Sequence, residues 1–203
     1  QSFHADDETI LKALAKSKDA GITIMVHAEN ADMVDYMTKK LISEGKTSSY
    51  YHAVSRPPIV EAEATSRAIY LANAVGAPIY IVHVTCKDSL DVIREAKLKG
   101  YKVNAETCAH YLIFDEDKLA MPYDEGAKFV CSPPLRKREH QDYLWEGIRD
   151  GSLNAISSDH CGFDFKVQKH LGIGKGMNGA SQEYINKLNI ELNKIPKNLL
   201  NVF

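Results

Sequence analysis

Apolar residues along this chain fall into an alternating series: stretches in which they recur every three or four positions, then short runs in which they are nearly continuous. In the first stretch Ile10, Leu11 and Leu14 share a helical face, with Asp6 or Asp7 where an N-cap belongs and Gly21 where a helix ends in a left-handed residue. The run Ile22 to Val26 follows at once and reads as a strand. A second helical pattern carries Met33, Val34, Met37 and Leu41, and the polar stretch after it, up to Ser55, reads as an exposed loop closed by Arg56-Pro57-Pro58. The period then repeats. Glu61 to Val75 reads as a helix with Ala64, Ala68, Leu71, Ala72 and Val75 toward a sheet, Gly76-Ala77-Pro78 breaks it, and Ile79 to Val82 reads as a strand. Leu90 to Lys99, capped by Ser89 and stopped by Gly100, leads into a strand over Tyr101 to Glu106.

Phe129-Val130-Cys131 is expected as a short extended piece, halted by Ser132-Pro133-Pro134 because proline disfavours helix in the residue before it. Glu139 to Arg149 reads as a helix and Leu153 to Ser157 as the last clear strand. Strands separated by helices specify a parallel sheet with right-handed crossovers, either a small open sheet or half of an eight-stranded barrel. From Gly172 the character changes to glycines and then an Asn- and Lys-rich helix-like stretch with Ile185, Leu188 and Leu192, broken at Pro196. Two units are therefore expected: an α/β domain over 1–171 and a divergent C-terminal helical segment over 172–203.

Composition narrows the class. With 203 residues, 44% hydrophobic and 26% charged, the chain is globular rather than disordered or fibrous. A net charge of -2, with no basic run longer than Arg136-Lys137-Arg138, argues against nucleic acid and anionic membranes as partners, and that run reads as a solvated loop. No apolar stretch approaches the roughly 20 residues of a membrane helix and the start has no signal-peptide pattern, so a cytoplasmic location is expected. The four cysteines, Cys86, Cys108, Cys131 and Cys161, form no Cys-x-x-Cys pair and read as reduced thiols. The chain opens almost directly into a helix without a methionine, which suggests a missing upstream segment.

Candidate chemistry sits at strand ends. Val26 is followed by His27, Val82 by His83, and the run Ala155-Ile156-Ser157-Ser158 by Asp159-His160. In a parallel α/β protein, groups just past the carboxyl ends of neighbouring strands converge on one face. Any one of these histidines alone reads as a core or strand-end residue. Two imidazoles and a carboxylate in the same structural position make a metal site that lowers the pKa of a bound water, with one metal or two left open.

The chain resembles the cyclic amidohydrolases, specifically the dihydropyrimidinase and D-hydantoinase family. The resemblance lies in Val26-His27-Ala28-Glu29-Asn30, Ile81-Val82-His83-Val84, Asn104-Ala105-Glu106-Thr107-Cys108 with His110-Tyr111-Leu112, Cys131-Ser132-Pro133-Pro134-Leu135-Arg136, and Ser158-Asp159-His160-Cys161. It implies a (β/α)8 TIM barrel with two zinc ions, a cyclic ureide substrate, and hydrolysis of its cyclic amide bond. By the same resemblance His27 and His83 bind one metal, while Asp159 binds the other and acts as general base. Ser132 contributes a backbone contact to the substrate ring, and Asn178, in Asn178-Gly179, a second. Glu29, His110, His160 and Cys161 read as supporting hydrogen bonders or packing groups.

Two features of the family pattern are absent: the His-x-His pair of the first barrel strand and the lysine, carboxylated in the family, of the fourth. What is present corresponds to the fifth to eighth strands, a partial barrel whose open edges call for a homo-oligomer or a missing N-terminal half. Alternative readings are a non-catalytic assembly homologue, an inactive truncated remnant, and, among enzymes, allantoinase or dihydroorotase.

Overall fold

The structure, a computed structural model, describes residues 4–160. The expected division at 171/172, the C-terminal helical segment, Asn178 and Cys161 lie outside the described residues.

Helix α1 (Asp7–Ala20) begins at Asp6, whose carboxylate accepts a 2.8 Å hydrogen bond from the Thr9 amide, and ends at Gly21 in a left-handed conformation. Strand β1 (Ile24–Val26) follows, then α2 (Ala31–Ser43), capped by the Asn30 side chain. A short helix α3 (Ser49–Val54) leads to α4 (Pro58–Val75), which takes a proline at its first position, where no amide is needed. Strand β2 (Ile79–Ile81), α5 (Lys87–Leu98), β3 (Val103–Cys108), a single turn α6 (Tyr123–Gly126), α7 (Glu139–Arg149) and β4 (Ala155–Ser157) complete the described order.

All four strands pair in parallel in the order β1-β2-β3-β4, with Ile24 beside Ile79, Ile79 beside Val103, and Glu106 beside Ala155. A monotonic order joined by right-handed crossovers places the connecting helices on one side of the sheet, as in a barrel wall. That side is the core: Ile79, Ile81, Val103 and Ala105 point into it and meet Leu90 and Ile93 of α5, all buried. The opposite face carries Met25, Tyr80 and Asn104 side by side in register. Met25 is 62% exposed there. On the same face the Glu106 carboxylate accepts hydrogen bonds from Tyr80 at 2.9 Å and Ser157 at 2.8 Å.

Several sequence expectations change. The stretch before Ser55 is not simply an exposed loop, because α3 buries Ser49, His52 and Ala53. Phe129-Val130-Cys131 joins no strand: Ala127–Phe129 is a 3-10 turn, with the Val130 amide bonded back to the Ala127 carbonyl. Helix α5 starts before Ser89, at a Cys86 cap, and Ser89 hydrogen-bonds the Cys86 sulfur instead. Arg136 is buried, not solvated, while Lys137 and Arg138 are exposed. Its partner is a carboxylate 75 residues earlier, Glu61 at 3.0 Å, which no local pattern reveals.

Helices α5 and α7 touch through Gly147. A Cβ there would stand 3.0 Å from both Leu90 methyls and 3.1 Å from a Leu153 methyl. Gly147→Val is therefore expected to cost about 1–3 kcal/mol by overpacking this contact, read as a lower urea midpoint at unchanged m-value. An unchanged midpoint would show that the contact is looser than described.

Candidate functional site

Three strands deliver their final residues to one end of the sheet. His27 directly follows β1, His83 stands two residues beyond β2, and Asp159 two residues beyond β4. His83 and Asp159 share an unusual backbone: φ is 43° at His83 and 41° at Asp159, the only non-glycine positive values among the described residues. Left-handed geometry costs an L-residue of order 1–2 kcal/mol, least readily excluded for Asn, Asp and His, and such strain concentrates at functional sites.

The structure brings His27 and His83 together. His27 Nδ1 lies 2.8 Å from His83 Nε2, and the rings meet edge to face with centroids 4.7 Å apart. His83 is buried, and that burial, helped by the neighbouring His27, pulls its pKa down to about 4. It is therefore a neutral imidazole at pH 7, the form that ligates metals. His110, buried in the 3-10 turn Ala109–Leu112, is lowered to about 3 by its burial, with His83 adding to the effect.

Behind His27 lies a chain of charged groups. His27 Nε2 is 3.1 Å from Glu29 Oε2, and Arg56 Nε is 3.7 Å from the same oxygen. Burial alone would raise the Glu29 carboxyl, but the His27 hydrogen bond and the Arg56 charge hold it below its ordinary value. Arg56 Nη1 donates to His52 Nδ1 at 3.3 Å, which leaves the His52 proton on Nε2 to donate to the Cys131 carbonyl at 2.9 Å. Ser132 Oγ is 3.3 Å from that same Nε2. Ser132 thus hangs on a helix whose other contacts lead back to His27. Both residues, with Glu29 and Arg56, line a groove of about 670 Å³ along the outer edge of β1.

Asp159 is not part of this cluster. It is exposed at the end of β4, and β2 and β4 are separated by β3, about 10 Å at ordinary strand spacing. The Asp159 charge is felt instead at Cys108, whose thiol burial pushes up to about 12. Among the described residues no three His, Cys, Asp or Glu side chains stand close enough to hold a metal ion. The donor chemistry of the histidine pair nonetheless fits one half of a metal site. Its two nitrogens are slightly closer than the roughly 3.3 Å that tetrahedral coordination at 2.0–2.1 Å would set, so small ring rotations would admit an ion.

The sequence places His27, His83, Asp159 and Ser132 as candidates, and the fold unites all but Asp159. Missed altogether were His52 and Arg56, which tie Ser132 to Glu29. The only local signal was Arg56 at the mouth of a Pro-Pro helix start, a position that also suits an ordinary loop.

No protein-family model matches the chain. It is 48% identical over 172 residues to the D-hydantoinase of Geobacillus stearothermophilus, and 52% identical over 167 residues to that of Ralstonia pickettii, alignments taking in 85% and 82% of this chain. The chain belongs to the D-hydantoinase and dihydropyrimidinase family. A crystal structure of D-hydantoinase matches 89% of this D-hydantoinase-like chain with a TM-score of 0.86 at 47% identity, over 40% of its own length. A dihydropyrimidinase from Brevibacillus agri matches 98% of the chain, and 45% of itself, with a TM-score of 0.87 at 43% identity. The four parallel strands are thus part of a hydantoinase TIM barrel. The chain spans 36% of the length of the curated hydantoinases it matches.

Proposed function

We propose that this chain supplies the His27/His83 half of a zinc-dependent site that opens the cyclic amide bond of hydantoins or dihydropyrimidines. The observation that carries this reading is the 2.8 Å pairing of His27 Nδ1 with His83 Nε2 at the ends of neighbouring parallel strands, in a chain about half identical to D-hydantoinases. When bound, a divalent ion would polarise the ring carbonyl and make water nucleophilic at neutral pH.

The rest is work for the chain. His27 and His83 would hold the ion, and the neutral ring of His83 suits that role. The Asp159 carboxylate would take the proton of the attacking water and return it to the ring nitrogen as the C–N bond breaks. Ser132, fixed by His52, would orient the ring through its backbone, and Asn178 would add a second backbone contact. Asp159 follows β4, two strands along from β2 and His83, and a second copy or an N-terminal half would supply the strands that close the barrel around the site. The buried free thiols Cys86, Cys108 and Cys131 suit a reducing compartment such as the cytoplasm. No helix among the described residues is long and apolar enough to cross a membrane.

The test is the zinc-to-protein ratio of the chain, purified without chelator through size exclusion, together with ring opening of hydantoin and dihydrouracil. Stoichiometric zinc in a discrete species with turnover is expected. A discrete, zinc-free species without turnover would overturn the reading and favour a non-catalytic assembly role.

A further inference from the structure

His27 can act as a ligand only if the nitrogen facing His83 carries a lone pair rather than a proton. A neutral imidazole has one proton and two places for it, and the choice is set by the partner of the other nitrogen. Here that partner is Glu29: its Oε2 lies 3.1 Å from His27 Nε2. A carboxylate only accepts, so His27 Nε2–H donates to it and Nδ1 is left bare, aimed at His83 Nε2 2.8 Å away.

Glu29 is poorly explained as a stabilising group. Its side chain is 7% exposed, its Oε1 is buried with no hydrogen-bond partner, and its ion pair with Arg56 is long at 3.7 Å. A carboxylate desolvated this far with one oxygen unsatisfied contributes little to folding and often opposes it. What it does have is a place: two residues after His27 on the same loop, with Arg56 behind it to keep the carboxylate turned toward the imidazole.

We propose that Glu29 is the positioning residue of the site, fixing His27 in the Nε2–H tautomer and so presenting Nδ1 as a metal ligand. The zinc-affinity part of this inference rests on the metal-site reading above; the tautomer part does not. It also implies that the proton now between the rings sits on His83 Nε2, and that an ion binding there requires it to move to His83 Nδ1.

Ring ¹⁵N–¹H spectra of the metal-free chain at pH 7.5 test this. His27 is expected as a single Nε2–H tautomer, and Glu29→Ala as a mixture of both. Zinc affinity, measured by chelator competition, is expected to fall about 10–100-fold in Glu29→Ala, alongside a lower urea midpoint because the buried Arg56 loses its carboxylate. Should Glu29→Ala fail to fold, Glu29→Gln, whose amide oxygen still accepts, is expected to give a smaller shift in the same direction. An unchanged His27 tautomer in the variant overturns the proposal. A wild-type chain that takes up no zinc while the tautomer still responds to Glu29→Ala overturns the metal-site reading and leaves the positioning role standing.

Discussion

Arg136→Met is expected to destabilise the fold by about 3–5 kcal/mol, enough to unfold many single domains outright. Arg136 and Glu61 are both almost completely buried, at 5% and 3% side-chain exposure, and meet at 3.0 Å. The guanidinium also donates through Nε to Thr85 Oγ1 at 2.8 Å and through Nη1 to the Arg56 carbonyl. Glu61 in turn accepts from the Thr85 amide at 2.9 Å and from the Thr85 hydroxyl. The loop after Ser132, the start of α4 and the turn after His83 are therefore bound to one charge pair. Removing the cation leaves a carboxylate in the core with nothing to neutralise it. The double variant Arg136→Met with Glu61→Leu is expected to recover much of the loss, because the uncompensated charge is what costs most. Urea midpoints of the two variants decide the matter. A single variant within 1 kcal/mol of the parent would show that water reaches the pair.

This network also marks the limit of what the sequence discloses. The strand ends are legible because a β run stops abruptly at a polar residue: Val26 at His27, Val82 at His83, Ser158 at Asp159. Helix caps such as Asp6 and Gly21 are legible because their chemistry acts within four residues. Arg136 and Glu61 are 75 positions apart, and Arg56 and Glu29 are 27 apart, so only the folded sheet makes them neighbours. One clue to burial was available. Glu61 lies on the helical stripe that continues through Thr65, Ala68 and Ala72, all of them buried, and a charge on such a stripe needs a partner. The place of Asp159 relative to the histidines was not legible at all, because spacing along the chain says nothing about which strands intervene.

Acid should unfold the metal-free chain well before carboxylates are titrated. His83 and His110 are buried as neutral rings, at about 4 and about 3 against an ordinary 6.5. Well above pH 6.5 neither the folded nor the unfolded chain protonates them, and full stability is kept. As the pH falls through 6.5 the unfolded chain takes up protons that the folded one refuses. Each histidine then removes about 1.4 kcal/mol per pH unit, until its own folded pKa is reached. Together they are expected to remove roughly 5 kcal/mol between pH 6.5 and 4.5. His140, lowered by burial and then by Arg136, adds in the same direction. Urea unfolding in chelator at half-unit steps from pH 7.5 to 4.5 measures the slope, and His110→Asn should shed about one proton's share of it. A midpoint that holds steady from pH 7 to 5 would mean that these rings are already accessible to solvent.

The left-handed backbone at His83 and Asp159 bears on how this gene can change. Few side chains tolerate that geometry, so mutation there is channelled toward Gly, Asn, Asp and His, and most other replacements penalise the fold as well as the chemistry. A lineage relaxing its hold on the reaction would therefore be expected to drift first to glycine or asparagine at these two positions, relieving strain as it loses donors.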